Sequence, residues 1–177
     1  MNINLINFLF GIGTVAIQIL IIKLLVVLTI FDKIKNLKLF RHVQKHSMHA
    51  ALILAVGATL GSLYYSIFLG WLPCDLCWYQ RIFMYPQVLI MAIAIWTKDA
   101  KGRIYTMWFS AIGAGFALYQ TLLQFGVENP VITECSTEMG AVGCSSISIL
   151  QFGYITFPVM SLSVFIAMFL LAYIYKK

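Results

Sequence analysis

Five apolar stretches, each about twenty residues or longer, occupy most of this chain: residues 6–31, 48–70, 79–97, 104–124 and 154–175. A helix needs ~20 mostly apolar residues to cross the hydrocarbon core of a bilayer. A soluble domain of 177 residues that is 62% hydrophobic and 10% charged would have too little interior to hide its apolar side chains, because much of its surface must face water. With lipid as the solvent the excess is explained, and the expected fold is all-α and polytopic. Nothing rich in Pro, Gly or Ser suggests a linker. Residues 6–31 lack the basic start, short apolar core and small-residue cleavage site of a signal peptide, so they are expected to stay as a helix. Gln18 and Lys23 are the polar residues inside it, Lys23 placed to snorkel towards the inner face.

The net charge of +6 is explained by where the charges lie. Ten of the twelve Lys and Arg residues fall in three places: Lys33, Lys35, Lys38, Arg41 and Lys45; Lys98, Lys101 and Arg103; and Lys176 with Lys177. None is interleaved with the aromatic residues a nucleic-acid platform needs, so no nucleic-acid partner is expected. Basic loops beside spanning helices mark the cytoplasmic face. The remaining connections, 71–78 and 125–153, together with the N-terminus, are then expected outside. These outer connections carry Asp75, Glu128, Glu134 and Glu138 and no Lys or Arg. Gly57 with Gly61, and Ala111 with Gly115, are spaced for close helix contact.

All four cysteines fall in the two outer connections, Cys74 and Cys77 as C-x-x-C and Cys135 and Cys144 nine positions apart. The outside is the oxidising side, where thiols pair. Spacing leaves the connectivity among the four open. Two inert staples would account for the loop pair. A tight C-x-x-C at the mouth of a spanning helix is better explained as redox-active. Zinc is the other use of four cysteines, but a structural site pairs two short-spaced motifs, and the second spacing here is loose. His42, His46 and His49 lie on the opposite face, so no metal is expected.

Arg81 follows Cys77 by four residues, one turn along the same helix face. A guanidinium there favours thiolate over thiol and offers hydrogen bonds to the carbonyl of an electron acceptor. Its position also breaks the charge pattern of the outer face. The chain has no glycine-rich nucleotide-binding turn and no His after its C-x-x-C. A lipid-soluble acceptor reaching Cys77 from the side therefore fits, and a quinone has that character. Trp78, Tyr79, Phe83 and Met84 offer apolar lining, although Trp78 and Tyr79 equally suit an interfacial aromatic belt.

The run Pro73-Cys74-Asp75-Leu76-Cys77-Trp78-Tyr79-Gln80-Arg81-Ile82-Phe83-Met84-Tyr85-Pro86 resembles the signature of the DsbB/BdbC family of disulfide bond formation proteins. A second cysteine pair in a later outer loop is also part of that pattern, and the resemblance covers approximately residues 48–175. The vitamin K epoxide reductase type, a related alternative, places its loop cysteines before the C-x-x-C. A non-catalytic scaffold with structural disulfides is the alternative from another class. The resemblance implies a four-helix bundle over 48–177, preceded by an extra transmembrane helix and basic cytoplasmic loop at 1–47.

It also implies a quinone-dependent protein-disulfide oxidoreductase in the cell membrane, redox loops outside, reoxidising an exported thioredoxin-like thiol oxidase of the DsbA/BdbD type. The quinone would be ubiquinone or menaquinone. By motif position, Cys77 resembles the quinone-facing cysteine, Cys74 its disulfide partner and Arg81 the quinone-side arginine. Cys135 and Cys144 resemble the shuttle pair, with Cys135 meeting the partner and exchange running through Cys74 and Cys144. The chain departs from the pattern in its N-terminal helix, in its Cys135–Cys144 spacing, and in Gln120, which stands where relatives often carry a His.

Overall fold

The computed structural model describes residues 3–29, 38–126 and 143–175, with side chains in the second helix from Gln44 onward. Cys135, most of the later outer loop and the basic residues Lys33, Lys35, Lys176 and Lys177 lie outside the described residues.

Five helices form among the described residues: α1 (Ile3–Thr29), α2 (Lys38–Leu63), α3 (Asp75–Trp96), α4 (Gly102–Gln124) and α5 (Phe157–Ile174). A wide π-turn, Tyr64–Phe68, closes α2. Among the described residues, three segments are long and apolar enough to cross a membrane: Ile3–Thr29, Gln44–Phe68 and Phe157–Ile174. α3 and α4 have 22 and 23 residues, about 33–35 Å at 1.5 Å per residue, which also suffices in length. Their lower apolarity has a structural reason: their polar side chains point inward. Gln80, Gln87, Thr106, Ser110 and Gln120 are all buried, whereas Ile53, Phe68, Leu89 and Trp96 are exposed. In lipid, apolar side chains can face outward freely, while a polar group needs a partner inside the protein.

The chain is thus an all-α polytopic membrane bundle. α2, α3, α4 and α5 form a ring in which each packs on the next and α5 closes back onto α2; α1 lies outside it against α5. α5 is apolar all round and is the most enclosed helix, as such a sequence must be. Phe165, Met168, Leu171 and Ala172 fill the centre with Met91 of α3, Ala117 of α4, and Ala51 and Ala55 of α2. Pro158 sits in its first turn, where a missing N–H costs nothing. Pro86 lies inside α3 and removes one helical hydrogen bond there. The next residue, Gln87, donates to the Phe83 carbonyl at 2.8 Å and accepts from Ser110 at 3.0 Å.

Of the small residues the spacing suggested, Gly61 alone makes a close helix contact, and other small residues make the rest. Gly113 of α4 has the Phe165 ring against it, and Gly102 has Ala94. Ala111 and Gly115 are exposed and a Cβ on Gly115 would meet nothing within 4 Å. Two residues are about 200° of helical turn, so the face marked by Ala111 and Gly115 is the outward one. On α2, Gly61 is a true contact, since a Cβ there would stand 2.7 Å from the Phe10 ring of α1. Gly57 faces open space. Lys23 is exposed, in keeping with a side chain that snorkels.

Candidate redox site

Cys74 occupies the N-cap position of α3, in extended conformation, and its carbonyl accepts from the Trp78 N–H at 3.0 Å. Cys77 follows in the first turn. A C-x-x-C opening a helix places its second sulfur near backbone N–H groups and the positive end of the helix dipole, an arrangement that favours thiolate. Cys74 and Cys77 stand as thiols, and their sulfurs are 3.0 Å apart. Cys74 and Cys144 are both buried and cluster with Leu76, and the Cys144 thiol is hydrogen-bonded to Cys74. Cys74 therefore lies between the other two. Cys135, the fourth cysteine expected at the site, falls outside the described residues.

The proton is divided unequally. Hydrogen bonds with Cys144 and then Cys77, together with burial, push the Cys74 thiol well above its ordinary range. Cys77 is lowered to about 7, first by the hydrogen bond from Cys74 and then, against the opposing effect of burial, by that from Gln120. Near neutral pH Cys74 keeps its proton and Cys77 is the thiol that ionises.

Gln120 of α4 reaches both sulfurs of the C-x-x-C. Its Nε2 donates to Cys74 Sγ at 3.2 Å and to Cys77 Sγ at 3.4 Å. Its Oε1 accepts from Gln80 Nε2 at 2.6 Å, and Gln80 Oε1 accepts from the Ser161 hydroxyl of α5. This buried chain from α5 through α3 to α4 sets the direction of the Gln120 amide. Spacing did not single out Gln80 or Ser161. The available signal was a Gln beside Arg81 within a mostly apolar helix.

Arg81 lies on the Cys77 side of α3, as four-residue spacing requires. Its Nη2 donates to the Ser62 carbonyl of α2 at 3.4 Å, and its guanidinium stands 5.4 Å from the Trp78 ring centroid, a cation–π distance. The lowered value at Cys77 was expected from Arg81; it comes instead from the Cys74 and Gln120 hydrogen bonds.

A cavity of about 610 Å³ opens beside these groups, lined by Cys74, Cys77, Arg81 and Met84 among others. That is ample for a small ligand. Trp78 and Tyr79 do not line it. They border a separate cavity towards α4, and Tyr79 stacks on Phe116 at 5.1 Å. Tyr79 follows Cys77 by two residues, which turns it to the far side of α3. Trp78 reaches the chamber only through Arg81, which it supports. Phe83 also stacks on Phe116.

The comparisons with known proteins agree with this geometry. The family model described as "Disulfide bond formation protein DsbB" matches residues 44–175. A "Probable disulfide formation protein C" of Halalkalibacterium halodurans is 40% identical over 116 residues, 66% of this chain and 82% of the relative. The "Disulfide bond formation protein C" of Bacillus subtilis is 39% identical over 119 residues, 67% and 84% of the two chains. A "Probable disulfide formation protein" of Chlamydia trachomatis is 35% identical over 129 residues, 73% and 91%. No solved structure matches significantly. A membrane bundle that gathers three thiols at the mouth of one helix, and shares most of its length with these relatives, belongs to the DsbB family of disulfide bond formation proteins.

Proposed function

We propose that this disulfide oxidoreductase is a thiol:quinone oxidoreductase on the extracytoplasmic side of the cell membrane. It would draw electrons from an exported thioredoxin-like thiol oxidase, with its N-terminus also outside. The observation that carries the reading is the shared placement of Cys77 and Arg81 on one apolar chamber, with Cys74 touching both Cys77 and Cys144.

The proposed path has four thiol–disulfide exchanges. A thiolate of the reduced partner attacks the Cys135–Cys144 disulfide at Cys135, and the partner's second thiol resolves that bond, leaving the partner oxidised and the loop pair reduced. The Cys144 thiolate then attacks Cys74 of the Cys74–Cys77 disulfide and expels Cys77 as the thiolate. Cys135 attacks Cys144 in turn, restoring the loop disulfide and freeing Cys74. The lower pKa of Cys77 makes it the better leaving group, which gives this exchange its direction.

A quinone supplies a two-electron sink. The Cys74/Cys77 dithiol gives up two electrons and two protons to it and returns to the disulfide. The residues present suit such an acceptor: apolar walls for a lipid-soluble ring, Arg81 to donate to a carbonyl, and a thiolate on Cys77. Gln120 holds the charge on Cys77, and Cys74 is buried beside it. The domain division into an N-terminal helix with its loop (1–47) and a redox domain (48–177) belongs to the same proposal.

The test is quinone reduction by purified protein supplied with a reduced thioredoxin-like oxidase. The parent should reduce quinone and a Cys77→Ser variant should not. Arg81→Ala should raise the KM for quinone roughly tenfold or more, as expected for a lost hydrogen bond from a charged donor, with the fold intact. No reduction by folded parent protein with several quinones and several donors would leave a scaffold with structural disulfides as the better account.

A further inference from the structure

The chamber beside Cys77 is not enclosed by the four-helix ring alone. Leu9, Phe10, Gly13, Thr14 and Ile17 of α1 also line it. Positions 9, 10, 13, 14 and 17 recur at helical period, so α1 presents one continuous face to the chamber. α1 lies wholly before residue 44, where the family match begins.

α1 is held there by specific contacts at both flanks. On the α2 side, Tyr65 donates to Asn7 Oδ1 at 2.6 Å, and the Phe10 ring seats against Gly61 and lies 5.5 Å from the Tyr65 ring. On the α5 side, Gln18 donates to Ser163 at 3.3 Å and accepts from Tyr154 at 2.8 Å. Phe152, with φ of 51°, presses its ring to 3.0 Å from where a Cβ on Gly11 would stand. A non-glycine residue in the left-handed region costs about 1 kcal/mol or more, and here that cost accompanies a contact on α1.

Between these flanks the packing stops. Small residues at helix interfaces in lipid normally draw backbones together. Gly13 of α1 and Gly57 of α2 both border the chamber, yet a Cβ on either would meet nothing within 4 Å. Phe10 fills Gly61, and one turn away the space is left open.

We infer that α1 is a wall of the acceptor chamber and sets which quinones enter it, Gly13 being the position that keeps the room open. The inference rests on the proposed quinone reading of this site. Its occupant is the ring and first tail segment of a lipid-soluble quinone, lying between α1 and α2 with its carbonyl end towards Arg81.

The test is a graded series on the full chain: Gly13→Ala, Gly13→Leu and Gly13→Trp. Two readouts are taken for each: the KM for quinone, and single-turnover oxidation of a reduced dithiol donor with no quinone present. The KM should climb with side-chain volume, reaching roughly tenfold or more for Gly13→Trp, as for a misfit in an apolar pocket. Donor oxidation should stay at the parent rate, which shows that the variant is folded and its thiols are competent. Gly13→Ala, with the least added volume, keeps the series readable if the Trp variant fails to assemble. A KM unchanged along the series in proteins that reduce quinone would overturn the wall and leave the quinone reading standing. A parent that oxidises the donor but reduces no quinone would overturn that reading, and the wall with it.

Discussion

Gln120 donates to two sulfurs from one amide nitrogen, and its carbonyl end is fixed by Gln80. Replacing it with Leu removes one of the hydrogen bonds that lower Cys77 to about 7, so the pKa should rise towards the ordinary ~8.5 of a thiol. A higher pKa leaves less thiolate at neutral pH, so the rate of quinone reduction at pH 7 should fall about fivefold for each unit of rise. It should recover as the pH is raised through the new pKa. The ultraviolet absorbance of the thiolate against pH, set beside the pH–rate profile, checks this; unshifted curves would make Gln120 a bystander. In sequence, Gln120 was visible only as a residue standing in for a histidine, because its bonds reach 40 or more positions along the chain. Periodicity within one helix carries no information about partners on another.

At the level of elements, α4 and α5 meet where the Phe165 ring covers Gly113. Gly113→Val should therefore overpack the centre and cost about 1–3 kcal/mol, read as a lower thermal midpoint in detergent. Gly115→Val, two positions on, faces open space and should leave the midpoint nearly unchanged. The pair of variants tests which face of α4 is inside. The sequence spacing pointed to Gly115, since both faces of α4 carry small residues and only packing distinguishes them. Helical spacing did place Arg81 with Cys77, because that relation lies within a single helix and needs only 3.6 residues per turn. The same spacing turns Tyr79 to the other side of α3, although the sequence reading offered it as lining for the acceptor.

For the whole molecule, the five helices were legible because lipid imposes a length and an apolar content on every span. The end of the bundle that bears Cys74 and Cys144 was legible from the basic residues gathered in the opposite connections. The site's inner wiring was not legible, since it depends on which helices become neighbours. The placement of α1 was equally hidden: a lone apolar stretch gives no sign of whether it drifts in lipid or lines a chamber.

Cys74 touches Cys77 on one side and Cys144 on the other, and a sulfur holds one disulfide at a time. On the proposed path Cys74 is therefore bonded to Cys144 or to Cys77 but never to both, and electrons pass from the loop pair to the quinone-side pair in separate steps. Initial rates measured while both substrates are varied should give parallel double-reciprocal lines, the mark of ping-pong exchange. Converging lines would mean that donor and quinone must be bound at once, which a single shared sulfur does not require.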